Sequence, residues 1–147
     1  MNGADQPSSA EWKARSDWFE GVFDARRRGE HGVIGEHAQA LLVELETVFC
    51  AGAWIASVIL AASIIDAHLR EVEVEAGQYS NTRDVFEAAG LSDEFHWLRQ
   101  QRNRYLHFSA RPYLTVDMHW FQQEEFEADA RRAVELLAQA LFRAAAR

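Results

Sequence analysis

The sequence predicts an all-α protein, a helical bundle of about five to six helices, and three observations predict it. Proline occurs only at positions 7 and 112. Apolar residues recur at spacings of three and four along most of the chain, the period of a helix with one buried face. No stretch alternates with period two for long enough to make a strand, apart from VEVE at 72–75, which reads better as a helix end. With 147 residues, 48% of them hydrophobic, the chain can bury one real core and is too short to expect two. Residues 1–8 are expected to form a disordered tail and 9–147 a single domain.

The first helix begins after Ser8 or Ser9, either of which can cap it, and is expected to bury Trp12, Phe19, Val22 and Phe23 before Gly29. The basic run Arg26, Arg27, Arg28 suits its C-terminal dipole. A second helix carries Ala38, Leu41, Leu42, Leu45, Val48 and Phe49 on one stripe. The Ala51-Gly52-Ala53 step turns or kinks the chain into a third helix holding Trp54, Ile55, Val58, Ile59, Ile65 and Leu69. GQYSN at 77–81 is the next break. A short helix around Val85 and Phe86 ends at Gly90, and Ser92 is placed to cap a fifth helix with Asp93 and Glu94 in its first turn. That helix should stop before Pro112, because the residue ahead of a proline disfavours helical geometry. SARPYLTVDM at 109–118 reads as a loop, and a last helix repeats Phe126, Ala130, Val134, Leu137 and Leu141.

Charge excludes one class of function. Acidic residues outnumber basic ones by 23 to 15, and the net charge of -8 opposes any coating of nucleic acid by bulk electrostatics. RNA or DNA contact must therefore be local. Thr47 to Ile65, TVFCAGAWIASVILAASII, runs without a charge over nearly the length of a membrane span. Its alanines, Ser57, Ser63, Gly52 and the flanking Glu44 and Glu46, with no Lys or Arg anchor, favour the buried central helix of a bundle instead. The lone Cys50 cannot form an internal disulfide, and MNGADQPSSAEWKARSDWF has no apolar run to serve as a signal peptide. A cytoplasmic protein without membrane association is expected.

The fifth helix departs from the acidic background. Between Phe95 and Pro112 stand Arg99, Arg102, Arg104 and Arg111 without a single carboxylate, which makes a local anion site. At about 100° per residue, Phe95, Leu98, Arg102, Leu106 and Ser109 share one face, so a charge intrudes on an apolar stripe. Beside it His96, Gln100, Asn103 and His107 follow at spacings of four, three and four as an uncharged polar stripe. Guanidinium groups can bind a phosphate while an imidazole, which titrates near neutrality, moves protons. Arg102 and His107 diverge by about 140° on one helix, so two copies of the helix meeting across a two-fold axis would assemble both pairs in one cleft. A homodimer is expected.

Arg102-Asn103-x-x-x-His107 resembles the R-x(4-6)-H signature of the HEPN superfamily, in which the residue after the arginine is commonly polar and often Asn. FCAGAWIASVILAASIIDAHLRE at 49–71 is similar to the middle helices of that bundle, and the likeness by helix order covers most of residues 30–145. The resemblance implies a metal-independent endoribonuclease that works as a dimer and leaves a 2',3'-cyclic phosphate and a 5'-hydroxyl. His107 would be the general base or acid, Arg102 would stabilise the charged phosphate and Asn103 would orient substrate or histidine. Arg99, Arg104, Gln100, His96 and Tyr105 would hold the RNA. The resemblance further implies a toxin or phage-defence effector with a possible cognate antitoxin. In the HepT-type branch a tyrosine two residues after the histidine is adenylylated; here that position is Ser109, with Tyr105 and Tyr113 near it.

Other readings stand beside this one. A non-catalytic HEPN-like module binding nucleotide or RNA, or scaffolding a complex, is the alternative, and Arg102 could instead be a structural partner of Asp66 or Glu71. His31, His37, His68 and His119 are scattered, with no H-E-x-x-H or cysteine pair, so neither a metal nor a cofactor is expected. Trp97 and Trp120 flank the motif and could stack a base, although packing is the commoner role for tryptophan.

Overall fold

The computed structural model describes residues 6–27, 34–75, 77–108 and 113–143. Among these there is no strand, and seven helices follow in order: α1 (Ser9–Arg26), α2 (Glu36–Cys50), α3 (Trp54–Val72), α4 (Thr82–Ala88), α5 (Asp93–Leu106), α6 (Val116–Phe121) and α7 (Gln123–Leu141). The all-α bundle is as expected, with one helix more than the sequence reading. The addition, α6, begins inside the stretch read as a loop. Thr115 caps it by accepting from the Met118 amide, yet α6 buries none of its residues, so no apolar period announces it.

α3 is the axis of the bundle and packs against α2, α4, α5 and α7. Ala61, Ala62, Ile64, Ile65 and Leu69 are wholly buried along it, and the alanines let its neighbours approach closely. α7 lays Phe126, Ala130, Val134, Leu137 and Leu141 against this core, all five as the period predicts. The uncharged run from Thr47 is broken by the turn at Ala51-Gly52-Ala53, where Gly52 takes φ +79°. Among the described residues no helix is long and apolar enough to cross a membrane.

Two helix starts behave differently from each other. Ser8 caps α1 in a capping box with Glu11, so residues 6–8 end in an ordered cap; the expectation of a tail at residues 1–5 lies outside the described residues. Ser92 occupies the cap position of α5 in extended backbone but makes no side-chain cap hydrogen bond. Asp93 and Glu94 in the first turn are left to complement the dipole. Trp12 is not buried: it is 40% exposed, and Trp18, stacked on Phe49 at 5.2 Å, takes the aromatic place next to Phe19.

α2 has no side-chain cap of its own. Its N-cap is Gly35, and the carboxylate of Glu71 on α3 accepts from the His37 and Ala38 amides at 3.5 and 3.3 Å. A carboxylate at a helix N-terminus meets both orphan amides and the positive end of the dipole. The fit is close: a Cβ on Gly35 would lie 2.5 Å from the Glu71 carboxyl, so a larger residue there would make that side chain shift. Beside it the Gly35 amide donates to Nδ1 of His68 at 3.4 Å, and His68 is buried. Burial holds the His68 pKa below its ordinary value, partly opposed by Glu71 and reinforced by Arg143.

Two outcomes follow for this junction. A histidine held neutral in the fold contributes stability that is present above its unfolded pKa near 6.5 and is lost as the pH falls through the lower folded value. Thermal unfolding should therefore show a midpoint that drops between about pH 7 and pH 5, and His68→Asn, which keeps an acceptor near Nδ1, should flatten that slope. Gly35→Ala should cost about 0.5–2 kcal/mol in denaturant unfolding, because it displaces the capping carboxylate from the amides of α2.

Candidate functional site

α5 is held by its N-terminal half. Phe95 and Leu98 are buried against the core, α3 and α4 flank the helix, and the chain then leaves the core. Tyr105 still packs on α7, but Leu106 is 53% exposed and the helix ends there, six residues short of Pro112. His107 is the C-cap: its amide donates to the Asn103 carbonyl at 2.9 Å while its own backbone is extended, at φ -116° and ψ 122°. His107 therefore stands at the end of the expected polar stripe of His96, Gln100 and Asn103, still tied to Asn103 by its amide while the chain beyond it leaves the helix. The fifth expected member of the apolar stripe, Ser109, and also Arg111 lie outside the described residues.

Arg102 is half-buried where α5 meets α3 and α4. Its guanidinium donates to the Thr82 hydroxyl at 3.1 Å and to the Asn103 side-chain oxygen at 3.3 Å. Nε is buried and makes no hydrogen bond. Burial lowers the Arg102 pKa, the Asp66 carboxylate raises it, and the neighbouring Arg99 lowers it further. Neither expected carboxylate forms an ion pair with it. Asp66 pairs with Arg70 at 2.9 Å, leaving its second oxygen buried and unbonded, and Glu71 caps α2. Arg70 also donates to the Tyr79 carbonyl. Asp66 thus stands between Arg70, its ion-pair partner, and Arg102, whose other charged neighbour is Arg99.

The remaining predicted residues divide. His96 packs its ring 6.4 Å from Phe86, and Gln100 is exposed on the outer face. Arg99 is half-buried with Nε unbonded. Tyr105 turns to α7: its hydroxyl donates to Asp129 at 3.3 Å and its ring meets Phe126 edge-on at 6.0 Å. Burial and the Asp129 charge push the Tyr105 pKa far up, and burial raises that of Asp129 as well. Arg104 lies over the Tyr105 ring at 5.7 Å. His107 is exposed and lines a shallow depression of about 200 Å³ with Arg104, Tyr105, Phe108 and Tyr113.

The depression has an aromatic wall in which the sequence reading did not identify Phe108: 81% exposed, it stands 4.8 Å from the Tyr113 ring. Trp120, singled out from the sequence, and Phe121 are exposed on α6. Of the two tryptophans singled out, Trp97 is covered by the Arg132 guanidinium at 3.9 Å, a cation–π contact that withdraws it from stacking. Among the described residues no group of three or more His, Cys, Asp or Glu is placed to hold a metal ion.

Because Arg102 has no ion pair among the described residues, its removal should strand no charged partner, only the neutral acceptors of Thr82 and Asn103. Arg102→Met is expected to cost less than about 2 kcal/mol in chemical unfolding, whereas a loss of about 3–5 kcal/mol would mark Asp66 as a dependent buried charge. The chain matches no protein-family model, no curated protein and no solved structure, so its chemistry has to be read from these side chains.

Proposed function

We propose that this chain is a metal-independent endoribonuclease of HEPN type, a toxin or phage-defence effector that acts as a homodimer in the cytoplasm. The observation that carries the reading is the gathering of Arg99 and Arg102 with Asn103 in a stretch of an acidic chain that is rich in arginine and free of carboxylates, with His107 exposed at the end of the same helix. Arg102 has one unbonded nitrogen and a position fixed by Thr82 and Asn103, which suits a group that meets the charge of a phosphate. In the proposed reaction His107 takes the proton of the ribose 2'-hydroxyl. That oxygen attacks the adjacent phosphorus, the bond to the 5'-oxygen breaks, and a protonated imidazole returns a proton to the leaving oxygen. The partner copy's motif would complete the site, one imidazole serving as base and the other as acid.

The non-catalytic module is favoured by one feature of its own. Among the described residues His107 has no side-chain hydrogen bond to fix its tautomer, whereas a general base is ordinarily oriented by a third group. Binding without cleavage needs only the arginines.

The deciding experiment incubates the purified chain with cellular RNA and maps the product ends. Cleavage should persist in EDTA and leave cyclic phosphates; His107→Ala should lower the rate by about 10² to 10⁴. Arg102→Ala should weaken both RNA binding and turnover. RNA left intact but bound in an Arg102-dependent way would establish the binding module instead. Sedimentation equilibrium of a monomer at micromolar concentration would remove the composite site.

A further inference from the structure

A groove runs between α1 and α2 on a side of the bundle that the proposed ribonuclease site does not use. The two helices are antiparallel: Ser16 donates to Glu46 at 3.3 Å near one end, and Phe23 meets Leu42 near the other. The larger depression between them is about 520 Å³, and a second of about 200 Å³ shares Val43 and Glu46 with it. On α1 the lining runs from Trp12 to Arg27, about 22 Å of helix at 1.5 Å per residue. The floor is apolar, with Phe19, Phe23 and Leu42, and Val43 stands between the depressions 68% exposed. Trp12, the aromatic expected in the core, lies exposed at the far end.

The rim of the larger depression is acidic. Glu20 and Asp24 stand one turn apart on α1, Glu46 faces them from α2, and Arg27 is the only cation among the described lining residues. Arg27 lies 3.9 Å from Asp24 and over the Phe142 ring, so one cation stands against three carboxylates, of which Glu46 also accepts from Ser16. An uncharged apolar partner laid here would desolvate this net negative rim with only part of its charge answered, so a partner that carries cations beside its apolar stripe fits the groove better. Extended peptides dock by adding to a sheet edge, and no strand exists among the described residues. Two depressions along a pair of packed helices instead accept anchors spaced by a helical turn.

We propose that the α1–α2 groove binds a basic amphipathic helix of a partner protein, whose apolar stripe fills the two depressions and whose Lys or Arg residues meet Glu20, Asp24 and Glu46. The inference is independent of the ribonuclease reading and concerns different residues.

The test uses the full chain and a fluorescein-labelled helical peptide of about 18 residues, with leucines at i, i+3/i+4 and i+7 and lysines flanking them. Its comparator has the same composition in an order that places the leucines on no single face. Anisotropy should show the amphipathic peptide binding at least about tenfold more tightly, with amide shift changes by NMR confined to α1 and α2. Glu20→Lys/Asp24→Lys, and separately Val43→Asp, should each weaken it about tenfold, while the charge-matched Glu124→Lys/Glu125→Lys on α7 changes it less than about twofold. These positions are exposed, and circular dichroism verifies the fold of each variant. Equal binding of both peptides, equal loss in both double variants, or shifts centred on α5 would reduce the effect to net charge and overturn the proposal. Self-association of the chain that Val43→Asp abolishes would overturn it in favour of a second copy.

Discussion

α3 packs against four other helices, and a helix in that position buries polar side chains that need partners. Those that reach beyond their own helix tie the bundle together, while one Asp66 oxygen stays buried and unbonded. Ser57 and Ser63 return to carbonyls one turn back in the same helix, at 2.9 Å each. Asp66 holds Arg70, which reaches the carbonyl of Tyr79 and fixes the approach to α4. His68 and Glu71 reach across to the start of α2, and just past the helix end Glu73 receives Arg143 from the terminus of α7. The same Arg143 donates to the Ala89 carbonyl behind α4. The polar groups of one segment thus set where three other helices begin or end, while the apolar groups supply the burial.

The Arg102 environment inherits this arrangement. Asp66 is committed to Arg70 and Glu71 to α2, so neither carboxylate neutralises the guanidinium on α5. What remains for Arg102 is a neutral hydroxyl and a neutral amide oxygen. Hydrogen bonds of that kind position a cation without cancelling its charge, the condition an anion site needs. The acidic balance of the chain is kept away from this corner, and part of it collects along the α1–α2 groove.

Periodicity made most of the bundle legible before any coordinates. The stripes of α2 and α7, the turn at Gly52 and the breaks near residues 77–81 and at Gly90 all follow from local chemistry that a sequence displays. The misses share a different cause, which is tertiary. Trp12 has the right spacing for burial, but α2 offers that end of α1 an open groove rather than a lid. The cap of α2 comes from Glu71, more than thirty residues away, and nothing near Gly35 signals it. Arg102 was visible as an anomaly, whereas its partner Thr82 was not, because hydroxyl donors and acceptors carry no period. His107 was placed inside a helix that in fact ends at Leu106, a residue with little surface to cover.

That early ending of α5 gives the imidazole an unusual dependence on backbone state. A side chain in mid-helix is aimed by its rotamer on a fixed scaffold; the ring of His107 is aimed by where the scaffold stops. The ring of His107 is set by the backbone from Leu106 to Phe108 as well as by its own rotamer, at the point of α5 where helical geometry gives way to extended chain.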